Sequence, residues 1–232
     1  MLTNPSFITS PAAHNLAGLF YFLLKGLAGK DFKRFLFSMA EYFIFHKPYQ
    51  VLSQFSPEGE KKTLADYFPH ISKNIYPVGR LDYDSEGLLL LTNDKALTHQ
   101  LLDPSFAHPR TYWVQVEGEI SDGAITQLKN GVTINIDGKQ YKTKRAGAQK
   151  ILNMSIADRN PPIRVRKNIP DSWLSLTLTE GKNRQVRRMT AAVGFPTLRL
   201  IRSAIGGITL DGIAPGTFKS LSEEEKKLLF VK

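Results

Sequence analysis

An uninterrupted run of four leucines at residues 88–91 limits the fold of this 232-residue chain more than any other feature. Gly87 precedes the run and Asp94 follows it closely, so turn-forming residues bound it on both sides. A short apolar run of this kind predicts a strand that is buried on both faces. Asp82 lies in the loop before the strand, between Arg80 and Gly87. The sequence therefore predicts a carboxylate at the mouth of a rigid strand, where chemistry can be positioned accurately.

Strand-like and helix-like patterns interleave along the rest of the chain, which predicts an α+β domain with a mixed central sheet. Further strands are predicted at residues 41–47, 111–118, 132–136, 173–179 and 197–202, with a hairpin at 205–218. Helices are predicted at residues 63–68, 97–102, 121–130 and 181–192. The last of these helices is basic, and Gly194 ends it.

The charge of the chain indicates the kind of partner it meets. A formal net charge of +10 favours a polyanion, either a nucleic acid or an anionic membrane, without choosing between them. The sequence has no cysteine, which excludes disulfides and thiolate metal sites and is compatible with our expectation of a cytoplasmic protein. The five histidines are scattered without metal-ligand spacing, and the sequence has no phosphate-loop string or serine elbow.

Residues 1–38 differ from the rest of the chain. The apolar stretch at residues 16–24 is interrupted by Lys25 and is too short to span a bilayer, which takes about 20 apolar residues. Basic residues then alternate with phenylalanines and leucine at helical spacing over residues 30–37. One interpretation is a basic amphipathic helix that touches RNA or a membrane. The other, which we weight more, is a disordered extension or a start codon assigned too far upstream, since Met39 directly precedes the main domain at residues 39–232.

The loop and the leucine run together form a longer motif. Gly79-Arg80-Leu81-Asp82, followed by Ser85 and the stretch from Gly87 to Asp94, resembles the catalytic-aspartate motif of the pseudouridine synthases, in the branch that acts on ribosomal RNA. Residues 45–52, 110–114 and 180–189 resemble the other motifs of the same family, so the resemblance runs from about residue 42 to about residue 220. Residues 160–164, 183–184 and 195–202 are most similar to one subgroup of that branch, which acts on 23S ribosomal RNA.

The resemblance implies a fold and a reaction. The family's catalytic fold has two lobes around a mixed, largely antiparallel central sheet, with the active site in a cleft between them. Its reaction breaks the bond from ribose to N1 of uracil, rotates the base and rejoins it through C5. Because no redox step occurs, no metal and no organic cofactor are expected. The expected partner is ribosomal RNA, either 23S RNA or a large-subunit precursor, with no membrane, and the expected state is a monomer.

The resemblance also assigns roles to individual residues. Asp82 is the catalytic carboxylate, Tyr112 stacks on the target base or moves a proton, and Arg187 holds Asp82 charged and oriented. An ordinary aspartate has a pKa about three units below 7, so it is ionised as this chemistry requires. The residues expected to bind the substrate are Arg80, Leu178, Lys182, Arg184 and Arg188. Leu178 would form an apolar wall under the flipped uracil, and the basic residues would contact phosphates.

The residue patterns by themselves leave alternatives open. Asp82 suits a turn or a cap, Tyr112 and Leu178 suit a core, and Arg187 suits a phosphate contact or a solvated helix face. Whether Asp82 attacks the ribose or acts as a base is also open. More basic residues are available for phosphates, namely Lys142, Lys144, Arg145, Arg159, Arg164, Arg166, Lys167, Arg199 and Arg202.

Two other functions compete with an RNA-modifying enzyme. The first is a non-catalytic RNA-binding protein on the same fold, which has no need to keep Asp82, Tyr112 and Arg187 together. The second is a peripheral membrane protein that uses its amphipathic start. It predicts that removal of residues 1–38 abolishes function, whereas the enzyme interpretation predicts little loss.

Overall fold

A mixed sheet of nine strands organises the domain, in a computed structural model that describes residues 40–163 and 169–231. The strands are β1 (Tyr42–Lys47), β2 (Tyr76–Pro77), β3 (Glu86–Thr92), β4 (Arg110–Glu117), β5 (Thr133–Ile136), β6 (Lys139–Lys142), β7 (Gly147–Ile151), β8 (Asp171–Leu178), β9 (Thr197–Ile205), β10 (Ile208–Thr209) and β11 (Phe218–Ser220). The helices are α1 (Lys95–Leu102), α2 (Asp122–Asn130), α3 (Gln185–Ala192) and α4 (Glu223–Leu228), with 3-10 turns at Leu64–Asp66 and Pro104–Phe106.

The leucine run forms the interior of this sheet. The strand order is β11-β1-β3-β9-β4-β8-β7, β2 also pairs with β3, β10 also pairs with β9, and β5 and β6 form a separate hairpin. Strand β3 runs parallel to β9, and the other recorded strand pairs are antiparallel. All seven residues of β3 are buried. The predicted α+β fold and the strand buried on both faces are thus confirmed.

Three apolar cores flank the sheet. Alternate residues of β3 face opposite ways, so Leu88 and Leu90 join a core with Ile201, while Leu89 and Leu91 join a second core with Phe45. A third core lies around β4, β8, α2 and α3. Residues Glu41–Lys232 form one compact unit. The expectations for residues 1–38, and for Arg164, Arg166 and Lys167, fall outside the described residues.

Several predicted elements differ in the structure. The basic helix predicted from residue 181 begins at Gln185, because residues 181–184 form a loop that ends with Arg184 in the left-handed region. The predicted hairpin at 205–218 is present only at its start, where the two-residue strand β10 pairs with the end of β9. The chain then continues to β11 beside β1. The sequence does not predict strands β6 and β7, because β6 is polar and mostly exposed and β7 is short, with polar residues between Ala148 and Ile151.

Candidate active site

A cleft of about 440 Å³ opens where the loop before β3 meets β4, β8 and the loop before α3. Six of the residues expected from the sequence line it, namely Arg80, Asp82, Tyr112, Leu178, Lys182 and Arg184. Arg187 and Arg188 lie on α3 outside this lining. The tertiary structure therefore brings together residues that are about a hundred positions apart in the chain.

The floor of the cleft is one face of the sheet. Arg110 pairs with Leu178, and Tyr112 pairs with Arg202, across neighbouring strands, so these four side chains lie on the same face. Leu178 is buried, and it belongs to an apolar core while also lining the cleft. Tyr112 is partly buried and packs against the same core. Tyr112 and Leu178 therefore each contact the core and line the cleft, so the two alternatives that their sequence patterns left open are compatible.

Asp82 lies at the start of a tight turn in the loop before β3. Its backbone carbonyl accepts a hydrogen bond from Ser85 N at 3.1 Å. Its side chain is 40% exposed, and Oδ2 lies 3.3 Å from Nη1 of Arg184. The carboxylate is therefore open to a substrate on one side and faces a cation on the other.

The cation beside Asp82 is Arg184 and not Arg187, which corrects the expected pairing. Arg184 also binds both carboxylate oxygens of Asp84, at 2.9 and 2.8 Å. Arg187 donates to the backbone carbonyl of Asp84 at 2.7 Å and lies 3.3 Å from its Oδ2. Hydrogen bonds from Arg184 and the nearby charge of Arg187 hold the pKa of Asp84 below its usual value. Asp84, two residues after Asp82 in the same acidic loop, is not among the residues expected from the sequence.

Arg188 points away from this acidic loop. Its Nε and Nη2 donate to the backbone and side-chain oxygens of Asn183, at 3.1 and 3.0 Å, and its Nη1 donates to the carbonyl of Asn135 in β5. Neighbouring residues on a helix point about 100° apart, which is why Arg187 and Arg188 have different partners. The guanidinium of Arg188 thus joins α3 to the β5–β6 hairpin.

Glu180 explains why α3 begins late. Its carboxylate accepts from Tyr141 Oη at 2.5 Å, from the backbone N of Lys144 at 2.9 Å and from Gln185 Nε2 at 2.6 Å. Burial opposes the charge, but these hydrogen bonds lower the pKa of Glu180 below its usual value. Glu180 is thus tied to the end of β6 and to the first residue of α3, and residues 181–184 line the cleft as a loop between them. That path brings Arg184 to the acidic loop.

Three basic residues near the site are buried. Arg199 pairs with Glu86 at 2.9 Å through Nε and Nη2, and Arg202 is 4% exposed and donates from Nε to the carbonyl of Leu88 at 2.7 Å. Arg199 and Arg202 are therefore not exposed as the expected phosphate contacts would be, although Arg202 also lines the cleft. Lys47 is fully buried, and its burial lowers its pKa to about 7.

Two further properties concern the described part of the chain. Within residues 40–163 and 169–231, no group of three or more histidines, aspartates and glutamates could hold a metal ion. Across the same ranges, no helix has both the length and the apolar character needed to cross a bilayer.

Comparisons with known proteins concern the family and the fold. Residues 41–192 match the family model described as RNA pseudouridylate synthase. The ribosomal large subunit pseudouridine synthase E of Vibrio vulnificus is 49% identical over 179 residues, covering 77% of this chain and 74% of that protein. The synthase E of Xanthomonas axonopodis pv. citri is 51% identical over 176 residues, covering 74% and 89%. A crystal structure of a pseudouridylate synthase has a TM-score of 0.68 and 26% identity, covering 82% of this chain and 74% of that one.

Proposed function

The chain belongs to the RNA pseudouridylate synthase family, and on that premise we propose that it isomerises one uridine of 23S ribosomal RNA to pseudouridine. The names of its relatives at about half identity support this substrate, because they are synthases of the large ribosomal subunit. They also support the predicted subgroup. Because the proposed substrate is ribosomal RNA, we propose that the protein acts in the cytoplasm. We also propose that it is a monomer.

One observation carries the proposal. Asp82, a carboxylate that is 40% exposed, stands in a cleft that Tyr112 and Leu178 also line. A uridine within a helix does not expose its glycosidic bond, so the nucleotide must be extruded into such a cleft, at a cost of a few kcal/mol. Contacts between phosphates and Arg80, Lys182 and Arg184 at the rim would offset that cost.

The proposed chemistry needs few groups. The bond between ribose C1′ and uracil N1 breaks, and its electron pair stays with the base. A bond between C1′ and C5 then forms, the proton on C5 is removed, and N1 takes up a proton in its place. Asp82 drives the first step, either by attack on the ribose or as a base, and Tyr112 stacks on the base or moves the proton. Reactant and product are isomers, so the proposed reaction consumes no cofactor.

The arginines support the acidic loop in this proposal. Arg184 gives Asp82 a cationic neighbour at 3.3 Å, and Arg187 fixes the backbone at Asp84. Arg188 is proposed to keep α3 against the β5–β6 hairpin. Its guanidinium is exposed there, so we propose that any contact of Arg188 with a phosphate is made at that surface.

The test is substitution of the carboxylate in cells that lack the chromosomal gene. Asp82→Asn keeps the shape of the side chain and removes its charge, so we expect no measurable pseudouridine at the target and near-normal RNA binding. Asp137→Asn is the control, because Asp137 lies in the exposed β5–β6 turn with φ 50°, a conformation that asparagine tolerates. Mapping of modified positions in ribosomal RNA gives both the activity and the target uridine. Substantial pseudouridine formation by Asp82→Asn would contradict the proposal.

A further inference from the structure

The peptide groups on both sides of Asp82 are held by a segment that precedes it by about thirty residues. Ser53 Oγ donates to the backbone carbonyl of Leu81 at 2.8 Å and accepts from the backbone N of Leu81 at 3.1 Å. Both residues are buried. One hydroxyl therefore satisfies the donor and the acceptor of the residue directly before Asp82.

The residue directly after Asp82 is held by the same segment. The backbone N of Gln50 donates to the carbonyl of Tyr83 at 2.9 Å. Gln50 has a φ of 56°, in the left-handed region that is unfavourable for a residue with a side chain. Such strain persists only where surrounding contacts determine the backbone, and here it turns the Gln50 amide toward the Asp82 loop.

Buried contacts hold this segment rigid. Lys47 Nζ donates to the carbonyls of Pro48 at 3.0 Å and Val51 at 2.7 Å, which closes residues 48–51 into a tight loop. The backbone N of Leu52 donates to the backbone carbonyl of Lys62, and the side chain of Val51 is buried. The segment is therefore fixed to the core before it reaches the Asp82 loop.

We propose that residues 47–53 form a bracket that sets the position of Asp82, and that Ser53 is its positioning residue. This proposal rests on the proposed function, because the bracket would position Asp82 as the carboxylate that reacts. The side chain of Asp82 is 40% exposed and has one ionic contact, at 3.3 Å. Such an exposed pair constrains a side chain weakly. The backbone hydrogen bonds at Leu81 and Tyr83 supply the constraint instead.

The bracket predicts a loss of rate without a loss of binding. Ser53 is buried beneath the loop and outside the cleft lining, so it does not touch the substrate. Ser53→Ala removes both hydrogen bonds to Leu81, and displacement of a reacting group by about 1 Å costs roughly a hundredfold in rate. We expect kcat to fall by about that factor, while KM for RNA stays within about twofold. The amide of Leu81 should also exchange with solvent faster than in the unchanged protein.

A second variant and a control make the test decisive. Ser53→Cys replaces the hydroxyl by a somewhat larger thiol that makes weaker hydrogen bonds, so its kcat should lie between those of the unchanged protein and Ser53→Ala. This variant decides the question if Ser53→Ala does not fold. Ser72→Ala is the control, because Ser72 bonds only within its own loop, to Asn74. Unchanged kcat in folded Ser53→Ala, or in Ser53→Cys if that is the variant that folds, would overturn the bracket. Activity of Asp82→Asn would instead overturn the proposed function, so the two failures are distinguishable.

Discussion

At the scale of single residues, the backbone of Arg184 decides which cation reaches the Asp82 loop. Arg184 has a φ of 49° and occupies the residue before α3, where no side-chain hydrogen bond caps the helix. A left-handed arginine is uncommon, and such positions cluster at functional sites. This conformation directs the guanidinium of Arg184 to Asp82 and Asp84, while Arg187, one turn into the helix, binds Asp84 alone.

The two arginines should contribute unequally to catalysis. The side chain of Arg187 is 14% exposed, whereas those of Arg184 and Asp82 are each 40% exposed. Water therefore screens the Arg184–Asp82 pair more than the Arg187–Asp84 pair. Arg187→Ala also leaves the backbone carbonyl of Asp84 without its donor. We expect Arg187→Ala to lower the single-turnover rate by about a hundredfold and Arg184→Ala by about tenfold. Both rates are measured at one ionic strength with saturating enzyme.

Arg188→Ala is the matched comparison, because Arg188 is the adjacent residue on α3 and binds Asn135 and Asn183 instead of the acidic loop. We expect it to alter stability or RNA affinity and to leave the single-turnover rate nearly unchanged. A larger loss of rate in Arg184→Ala than in Arg187→Ala would mean that the direct contact with Asp82 dominates.

At the scale of elements, the parallel contact between β3 and β9 sets where the Asp82 loop ends. The pairs Glu86↔Ile201 and Gly87↔Arg202 form this contact. Beyond it, Nε of Arg202 donates to the carbonyl of Leu88, and the Glu86–Arg199 pair joins the same two strands on the other face. The loop thus ends at a fixed junction, which keeps Asp82 above the floor formed by β4 and β8.

Gly87 is required at this junction. Its φ is 107°, and a Cβ atom there would lie 2.3 Å from the carbonyl oxygen of Arg202 and 2.5 Å from its backbone nitrogen. Gly87→Ala should therefore lower the free energy of unfolding by about 3 kcal/mol or more, because backbone strain adds to a clash between two backbones. Urea denaturation of the purified protein gives the value.

Gly138→Ala is the control for the strain alone, since Gly138 has a φ of 83° and no atom within 4 Å of its Cβ position. We expect it to cost only about 1–2 kcal/mol. Equal losses in the two variants would show that the β3–β9 approach is not tight enough to exclude a side chain.

At the scale of the whole molecule, the net charge of +10 favours contact with a polyanion. Part of this charge is turned inward, because Lys47, Arg199 and Arg202 are buried. The cations that line the cleft, Arg80, Lys182 and Arg184 among them, remain placed for phosphates. RNA binding is therefore expected to depend on a subset of the basic residues.

Binding should weaken steeply with salt. Each phosphate neutralised on a single strand contributes about −0.7 to the slope of log affinity against log salt concentration. With several such contacts, the affinity falls by orders of magnitude between low and moderate salt. Lys182→Ala should reduce this slope by about 0.7, the contribution of one phosphate. The control is Lys219→Ala. Lys219 lies on β11, pairs with Glu225 of α4 and does not line the cleft. A flat titration of the unchanged protein would show that phosphates are not its main contact.

The sequence by itself determined the features whose causes lie within a few residues. The leucine run forms the strand buried on both faces, and nearby side chains cap the first turns: Thr63 and Asp66 form a capping box at the 3-10 turn, Asp94 caps α1, and Ser121 caps α2. Gly131 ends α2. Apolar periodicity and caps act locally, so they can be identified without knowing the fold. The resemblance to the family, carried by several such motifs, also pointed to six of the residues that line the cleft.

Only the tertiary structure decided which of these residues touch. Arg184 meets Asp82 across 102 positions of sequence because Glu180 anchors the loop before α3, and no local pattern encodes that anchor. The burial of Arg199 and Arg202 follows from strand register, which is set by the packing of the whole sheet. Ser53 reads as an ordinary loop serine until the fold places it beneath Leu81. Residue type fixes what a side chain can do, whereas the long-range pairing of the strands fixes which partner it meets.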